Sequence, residues 1–177
     1  MNRIQIRNMA LCAMFSAVLC VCAWLGFPIG DVYITMQTFG VFLCLGLLGG
    51  KYGSISVFIY LLLGAVGLPV FSGFRGGLGI LLGTSGGYIW GLLAGALVYW
   101  LITAVWKKGQ LPAMIIGLLI CYSLGTLWYW LMYLQENTLW AVLLKCVVPY
   151  VIPDMIKLFF AVYLIKYIPR LYRYCKE

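Results

Sequence analysis

The sequence contains no histidine, and only four of its 177 residues are acidic. So few titratable side chains leave little for proton-transfer catalysis, and the chain also lacks the Walker motif that ATP hydrolysis requires. Charged residues of all kinds amount to 9%, whereas a typical soluble domain has about 25%. These scarcities argue against a soluble enzyme and against an ATPase.

The sequence is instead rich in apolar residues. Hydrophobic residues make up 65% of the chain, and the mean hydropathy is +1.05. We therefore predict an all-α membrane protein with one integral membrane domain over residues 1–177. The apolar run at 9–27 is longer than the roughly 7–15 residues of a signal-peptide core, so we expect an uncleaved span there.

The net charge of +8 suggests a nucleic-acid partner at first sight, but the basic residues mostly flank apolar segments. That distribution is typical of membrane orientation signals, and we expect no nucleic-acid binding. The seven cysteines form no CxxC pair, and most lie inside apolar runs. We interpret them as small apolar side chains of packed helices, and we expect neither a metal site nor a cofactor.

Hydropathy and turn residues divide the chain into six predicted transmembrane helices. Two prolines, Pro149 and Pro153, interrupt the last apolar segment, and we place the start of the final span at Pro153 because proline suits a first helical turn. A short helix at the outer surface is predicted before it. The predicted spans are 8–25, 35–48, 53–66, 86–106, 111–134 and 153–169, and the surface helix is 138–148.

The basic residues predict the orientation of these spans. With both termini in the cytoplasm, the inner side carries most of them, as the positive-inside rule requires. We therefore predict a multi-pass membrane protein with both termini in the cytoplasm. The inner residues are Arg3, Arg7, Lys51, Lys107, Lys108, Lys166, Arg170, Arg173 and Lys176, and the outer ones are Arg75, Lys145 and Lys157.

The charged residues Asp154 and Lys157 are three positions apart in an apolar segment. In the first turn of the last span they share one helix face, where the helix dipole favours the aspartate. One interpretation is an ion pair that caps the helix. The other is a polar pair at the floor of an outward-facing pocket, because charged groups at membrane depth are usually functional.

A glycine-rich segment, "GLPVFSGFRGGLGILLGTSGGYIWG", joins the third and fourth spans. Its Arg75 is either a solvated loop charge or a lid residue that pairs with an acidic ligand group. The N–H groups of Gly86 and Gly87, at the start of the fourth span, are candidates for a carboxylate contact. Gly87 also begins a glycine repeat with Gly91 and Gly95, which favours close helix packing.

Other candidates are single polar or aromatic residues. The amide of Gln37 needs a partner in hydrocarbon, which is either neighbouring backbone or a ligand. Tyr88 and Tyr150 fit an aromatic belt at the membrane interface or the walls of a pocket for a flat ligand. Ala13 and Ala17 form a small-residue pair suited to internal packing or to docking of a membrane partner.

Four stretches together resemble the BioY family, the biotin-specific substrate-binding subunits (S components) of energy-coupling factor (ECF) transporters. In order they are "ITMQTFGVFL", "GGKYGSISVFIYLLLGAVGLPVF", "GGLGILLGTSGGYIWG" and "PDMIK". The resemblance extends over nearly the whole chain. It implies six spans, cytoplasmic termini, and a biotin pocket near the outer face beneath the loop between spans three and four.

The resemblance also implies roles for particular residues. Asp154 and Lys157 would contact the ureido ring, the carboxylate accepting from ring N–H groups and the ammonium donating to the carbonyl. Arg75 falls on the loop position before the double glycine, which often holds a polar ligand contact in the family. Tyr88 falls on the family's tyrosine after "GG", and Gln37 on its glutamine in the second span.

The chain departs from the family pattern where some members have an arginine after "GGY", because Ile89 stands there. We hypothesise that Arg75 replaces that arginine as partner of the biotin carboxylate, assisted by the N–H groups of Gly86 and Gly87.

The resemblance further implies partners: a transmembrane coupling subunit, which docks at Ala13 and Ala17, and two cytoplasmic ATPases. The chain itself would then be a transport subunit and not an enzyme. Three alternatives stay open from the residues alone: an S component for another small vitamin or precursor, a small membrane enzyme, and an assembly protein without a ligand.

Overall fold

The computed structural model describes residues 3–29, 32–106, 109–133, 143 and 147–168 of the chain. Over these residues the fold is helical with one small β-hairpin, and five helices are long and apolar enough to cross a membrane. Those five are α1, α2, α4, α5 and α6 in the numbering that follows. The elements are α1 (Arg3–Trp24), β1 (Gly26–Ile29), β2 (Val32–Thr35), α2 (Gln37–Ala65), α3 (Leu78–Leu81), α4 (Gly86–Val105), α5 (Gln110–Tyr133) and α6 (Val148–Tyr167).

Helix α2 is folded back on itself at Gly49, which has non-helical angles of φ 79° and ψ 171°. Residues eight apart in a straight helix are about 12 Å apart. A Cβ built on Gly53, however, would lie only 3.0 Å from the Cα of Leu45. The 29-residue element therefore consists of two packed antiparallel arms, which meet where the sequence predicted a boundary at "GGK".

The segment between α1 and α2 forms a hairpin that the sequence analysis did not predict. Strands β1 and β2 pair antiparallel, from Gly26 opposite Thr35 to Ile29 opposite Val32. The glycine and proline in "GFPIGD" suggested only a turn, whereas the β-branched residues of "VYIT" favour a strand. The hairpin holds β2 beside the first turn of α2.

The last helix begins earlier than predicted. It starts at Val148, with Pro149 in its first turn, and Pro153 lies inside the helix. Asp154 and Lys157 consequently occupy the second and third turns, not the first. Either proline fits a first turn, and the sequence rule selected the wrong one. Since the helix dipole acts mainly within the first turn, it does not explain the position of Asp154. The predicted surface helix at 138–148 lies mostly outside the described residues.

Helices α4 and α5 pack through glycines. A Cβ on Gly95 would lie 2.5 Å from the carbonyl oxygen of Gly117, and one on Gly91 would lie 2.9 Å from the Cα of Cys121. Real Cβ atoms do not approach other atoms so closely, so any larger residue would separate the helices. The packing role predicted for the glycine repeat is confirmed at these two positions.

The loop at 66–77 is anchored to the ends of α1 and α2. Phe71 is only 2% exposed, because its ring packs on Gly64 and meets the ring of Tyr60 edge-on. Trp24 donates from Nε1 to the carbonyl of Pro69 at 2.8 Å and stacks on Phe74. These contacts fix the loop over the ends of the helices and thereby place Arg75.

Candidate functional site

A cavity of about 760 Å³, counting the space at its open mouth, lies where β2, the loop at 66–77 and helices α2, α4, α5 and α6 meet. Six residues that the sequence analysis singled out line it: Gln37, Arg75, Tyr88, Tyr150, Asp154 and Lys157.

The charged pair of α6 reaches this cavity as a buried ion pair. Nζ of Lys157 lies 2.7 Å from Oδ1 of Asp154, and the two residues are 9% and 4% exposed. Lys157 also donates to the carbonyl oxygen of Thr35, at 2.7 Å. A buried pair remains charged only when hydrogen bonds satisfy its remaining lone pairs and protons.

Two further side chains meet that requirement, and the sequence analysis missed both. The hydroxyl of Thr38 donates to Oδ1 of Asp154 at 2.8 Å, and the hydroxyl of Tyr122 donates to Oδ2 at 2.5 Å. Thr38 follows the predicted Gln37, but nothing in the sequence shows that its hydroxyl faces a carboxylate and not its own helix backbone. Tyr122 gave no signal, because it is one of several polar residues in an apolar helix. Only the tertiary structure brings its hydroxyl to Asp154.

Gln37 belongs to a second hydrogen-bonded chain in the cavity wall. Its Nε2 donates to the hydroxyl of Tyr60 at 3.0 Å, and Tyr60 donates to the carbonyl of Val70 at 3.2 Å. The amide therefore connects α2 to the covering loop. The sequence analysis gave neighbouring backbone or a ligand as the partner of this amide, whereas the partner present is the Tyr60 side chain. Gln37 also lines the cavity.

The remaining lining residues surround the pair from three directions. Arg75 is exposed and donates from Nε to the carbonyl of Ser72 at 3.2 Å. Tyr88, on α4, places its hydroxyl 3.4 Å from that of Thr126, and Tyr150 is a buried residue in the first turn of α6. The cavity thus has a charged floor, aromatic walls and a basic residue in the loop above.

Four predicted residues are not among those that line the cavity. Gly86 donates its N–H to the carbonyl of Gly83 at 3.0 Å, and Gly87 packs against the side chain of Trp128. Ala13 and Ala17 lie on an exposed face of α1. The structure therefore separates the cavity from the small-residue pair of α1.

The arrangement suits a neutral ligand that carries both donors and acceptors. The Asp154 carboxylate only accepts hydrogen bonds and the Lys157 ammonium only donates them, so the floor offers one group of each kind. Because the two charges cancel, the floor does not require a charged ligand group. The exposed Arg75 is placed to attract a negative group that extends toward the mouth.

The chain is similar in sequence to proteins named as biotin transporters. The chain is 43% identical over 123 residues to the biotin transporter BioY of Thermotoga maritima, covering 67% of this chain and 72% of the relative. It is 36% identical over 152 residues to the probable biotin transporter BioY of Pyrococcus horikoshii, covering 85% and 89%.

A solved structure shares the whole architecture. The 2.1 Å crystal structure of the S-component for biotin from an ECF-type ABC transporter aligns with a TM-score of 0.85 at 28% identity, covering 96% of this chain and 95% of that one. The model of the BioY family matches residues 1–174. With nearly its full length matched, the chain belongs to the BioY family.

Proposed function

We propose that this protein captures biotin and takes it up as the S component of an ECF-type ABC transporter. The observation that carries the proposal is the buried Asp154–Lys157 pair at the floor of a cavity in a fold that matches a biotin S-component at a TM-score of 0.85. As a transport subunit, the chain is not an enzyme, and ATP hydrolysis belongs to its partners.

The geometry of the cavity suggests how biotin lies in it. The ureido ring is placed at the floor, where Asp154 accepts from a ring N–H and Lys157 donates to the ring carbonyl. The bicyclic ring fits between the walls formed by Gln37, Tyr88 and Tyr150. The apolar chain of the ligand then extends toward the mouth of the cavity.

The carboxylate of biotin is assigned to Arg75 at the mouth. Arg75 lies on the covering loop and lines the cavity, which supports this pairing. The N–H groups of Gly86 and Gly87 remain possible second contacts in this proposal. Gly86 contributes only if its bond to Gly83 is shared or broken when ligand binds.

We place six crossings in the bilayer, with both termini in the cytoplasm and a short surface helix at 138–148. The fold-back at Gly49 supports this count, because the two arms of α2 serve as separate crossings beside α1, α4, α5 and α6. The cavity then opens outward, and the membrane is the bacterial cytoplasmic membrane.

The proposed partners are a transmembrane coupling subunit and two cytoplasmic ATPases. Ala13 and Ala17 are exposed on α1, as a docking face for a membrane partner requires. Small residues there let another helix approach closely within the lipid.

A titration of biotin into the purified protein in detergent tests the proposal. We expect saturable binding in the nanomolar range, weakened about 10- to 100-fold by Asp154→Asn, since a hydrogen bond to a charged group contributes about 1.5–3 kcal/mol. Thr103→Val removes a hydroxyl that bonds only within α4 and serves as the control. A folded sample that does not bind biotin refutes the proposal.

The same titration separates the alternatives. Binding of another vitamin or precursor in place of biotin would indicate an S component of different specificity. Recovery of the bound ligand in chemically altered form would indicate a membrane enzyme. Mass spectrometry of the released ligand distinguishes these two results.

A further inference from the structure

The hydrogen bonds around Asp154 limit what a ligand can do there. A carboxylate has about four lone-pair sites, two on each oxygen. Oδ1 receives Thr38 at 2.8 Å and Lys157 at 2.7 Å, and Oδ2 receives Tyr122 at 2.5 Å. Among the described residues these are the only donors to Asp154. One lone pair therefore remains for a ligand, and it is on Oδ2.

The hydrogen bonds of Lys157 limit its side of the pair in the same way. An ammonium group has three N–H donors. Two are used at 2.7 Å, one on the carbonyl of Thr35 and one on Asp154. The contact with the Thr38 hydroxyl is long, at 3.4 Å. The third N–H is held only by this weak contact, so it is the one that a ligand acceptor can take.

The floor of the cavity therefore presents one acceptor beside one donor. The complementary edge is an N–H next to a C=O, as in an amide or a cyclic urea. A cyclic guanidinium has the same shape but presents two donors on that edge and carries a positive charge. It would need two acceptor sites and would place its charge beside the Lys157 ammonium.

We propose that Tyr122 and Thr38 are specificity-determining residues, which fill the lone pairs of Asp154 and so make the site select a neutral urea edge over a guanidinium edge. This inference rests on the proposed function, because it takes the ureido ring to lie on Asp154 and Lys157. Tyr122 has the larger role, since it shares Oδ2 with the ligand. Thr38 acts on Oδ1, which Lys157 already neutralises.

The test compares biotin with 2-iminobiotin, in which a guanidinium replaces the urea, at neutral pH in the purified protein. We expect the wild type to favour biotin at least about 100-fold, because two like charges in a buried site repel strongly. Tyr122→Phe should change the biotin affinity less than about threefold, because the hydrogen bond that it removes is present with and without ligand. It should reduce the preference at least about tenfold, because the freed lone pair of Oδ2 can accept the second guanidinium N–H. Thr38→Val should reduce the preference less, by about threefold.

The ratio of the two affinities is informative because a merely structural defect would weaken the binding of both ligands equally. Tyr129→Phe is the matched control. Tyr129 is also buried and also on α5, but it does not line the cavity, so removing its hydroxyl should leave the preference unchanged.

Each result has one meaning. An unchanged preference in folded Tyr122→Phe overturns the inference while the proposed function stands, as does a wild type that binds both ligands equally. If Tyr122→Phe does not fold, the Thr38→Val result decides in the same way. A wild type that binds neither ligand overturns the proposed function and this inference together.

Discussion

Two neighbouring cavities lie between α2, α4 and α5, and they differ in kind. The first, of about 760 Å³, has the Asp154–Lys157 pair at its floor. The second, of about 320 Å³, is lined mostly by apolar residues together with Thr38 and Tyr99, and no charged residue of the described part of the chain lines it. They share Thr38, Leu92 and Cys121 as a common wall.

The difference shows which parts of the fold create a binding site. The three shared helices contribute no charged side chain to either cavity. Only where α6, β2 and the loop at 66–77 are added does the cavity acquire an ion pair and a basic residue. The shared helices thus supply neutral hydroxyl and amide groups, and the added elements supply the charges.

Removing one charge of the Asp154–Lys157 pair should have the largest effect on the difference between the two cavities. Asp154→Ala leaves the Lys157 ammonium buried without its counter-charge, which should cost about 3–5 kcal/mol of unfolding free energy. The double variant Asp154→Leu with Lys157→Met should recover most of that loss, because apolar residues replace a buried pair at little cost. Denaturation in mixed micelles measures both.

The double variant should not bind biotin, since the first cavity then resembles the second, and Asp154→Ala should bind it more weakly than the wild type does. A double variant as unstable as Asp154→Ala would show that the ion pair itself holds α6 in place. A double variant that still binds biotin would contradict the assigned floor.

An enlarged second cavity should affect stability and not binding. Leu45 is 3% exposed and lines only the second cavity. Leu45→Ala should lower the unfolding free energy by about 2–5 kcal/mol, as is usual for buried leucines. The biotin affinity of the folded fraction should change less than about threefold. Leu101→Ala, on an exposed face of α4, is the control and should change stability by about 0.5 kcal/mol.

If Leu45→Ala weakened biotin binding strongly, the two cavities would act as one site. The shared wall of Thr38, Leu92 and Cys121 would then have to shift when the ligand binds. Isothermal titration of both variants with biotin decides between the two results.

The smallest effect is expected at the mouth of the first cavity. Arg75→Ala should weaken biotin about tenfold, because Arg75 is exposed and water screens its pairing with the carboxylate. The alcohol analogue biotinol lacks the carboxylate, and its affinity should not change. If the variant binds biotin as tightly as the wild type does, the carboxylate has another partner.

Much of the fold was predictable from local pattern. Long apolar runs predicted the helices, and the break at "GGK" predicted the fold-back at Gly49. The hairpin of β1 and β2 was missed because a four-residue strand next to glycine and proline has too short a pattern to separate from a turn. The start of α6 was wrong because Pro149 and Pro153 satisfy the same local rule.

The site divides in the same way between what was predictable and what was not. Asp154 and Lys157 were found because charge is rare and expensive in hydrocarbon. Thr38 and Tyr122 were not, because a hydroxyl in a membrane helix can satisfy itself on its own backbone, as Thr103 does with the carbonyl of Tyr99. Nothing local shows which hydroxyls face a carboxylate.

By itself the sequence determined that the chain is a helical membrane protein, where most of its helices lie, and which two charged residues need an explanation. Those properties follow from the cost of placing polar groups in hydrocarbon. Each segment is subject to that cost independently of the rest of the chain. Only the tertiary structure decided that Tyr122 of α5 and Thr38 of α2 meet Asp154 of α6, which lies 32 and 116 residues away in the chain. Their meeting depends on the packing angles of whole helices, and no single segment encodes those.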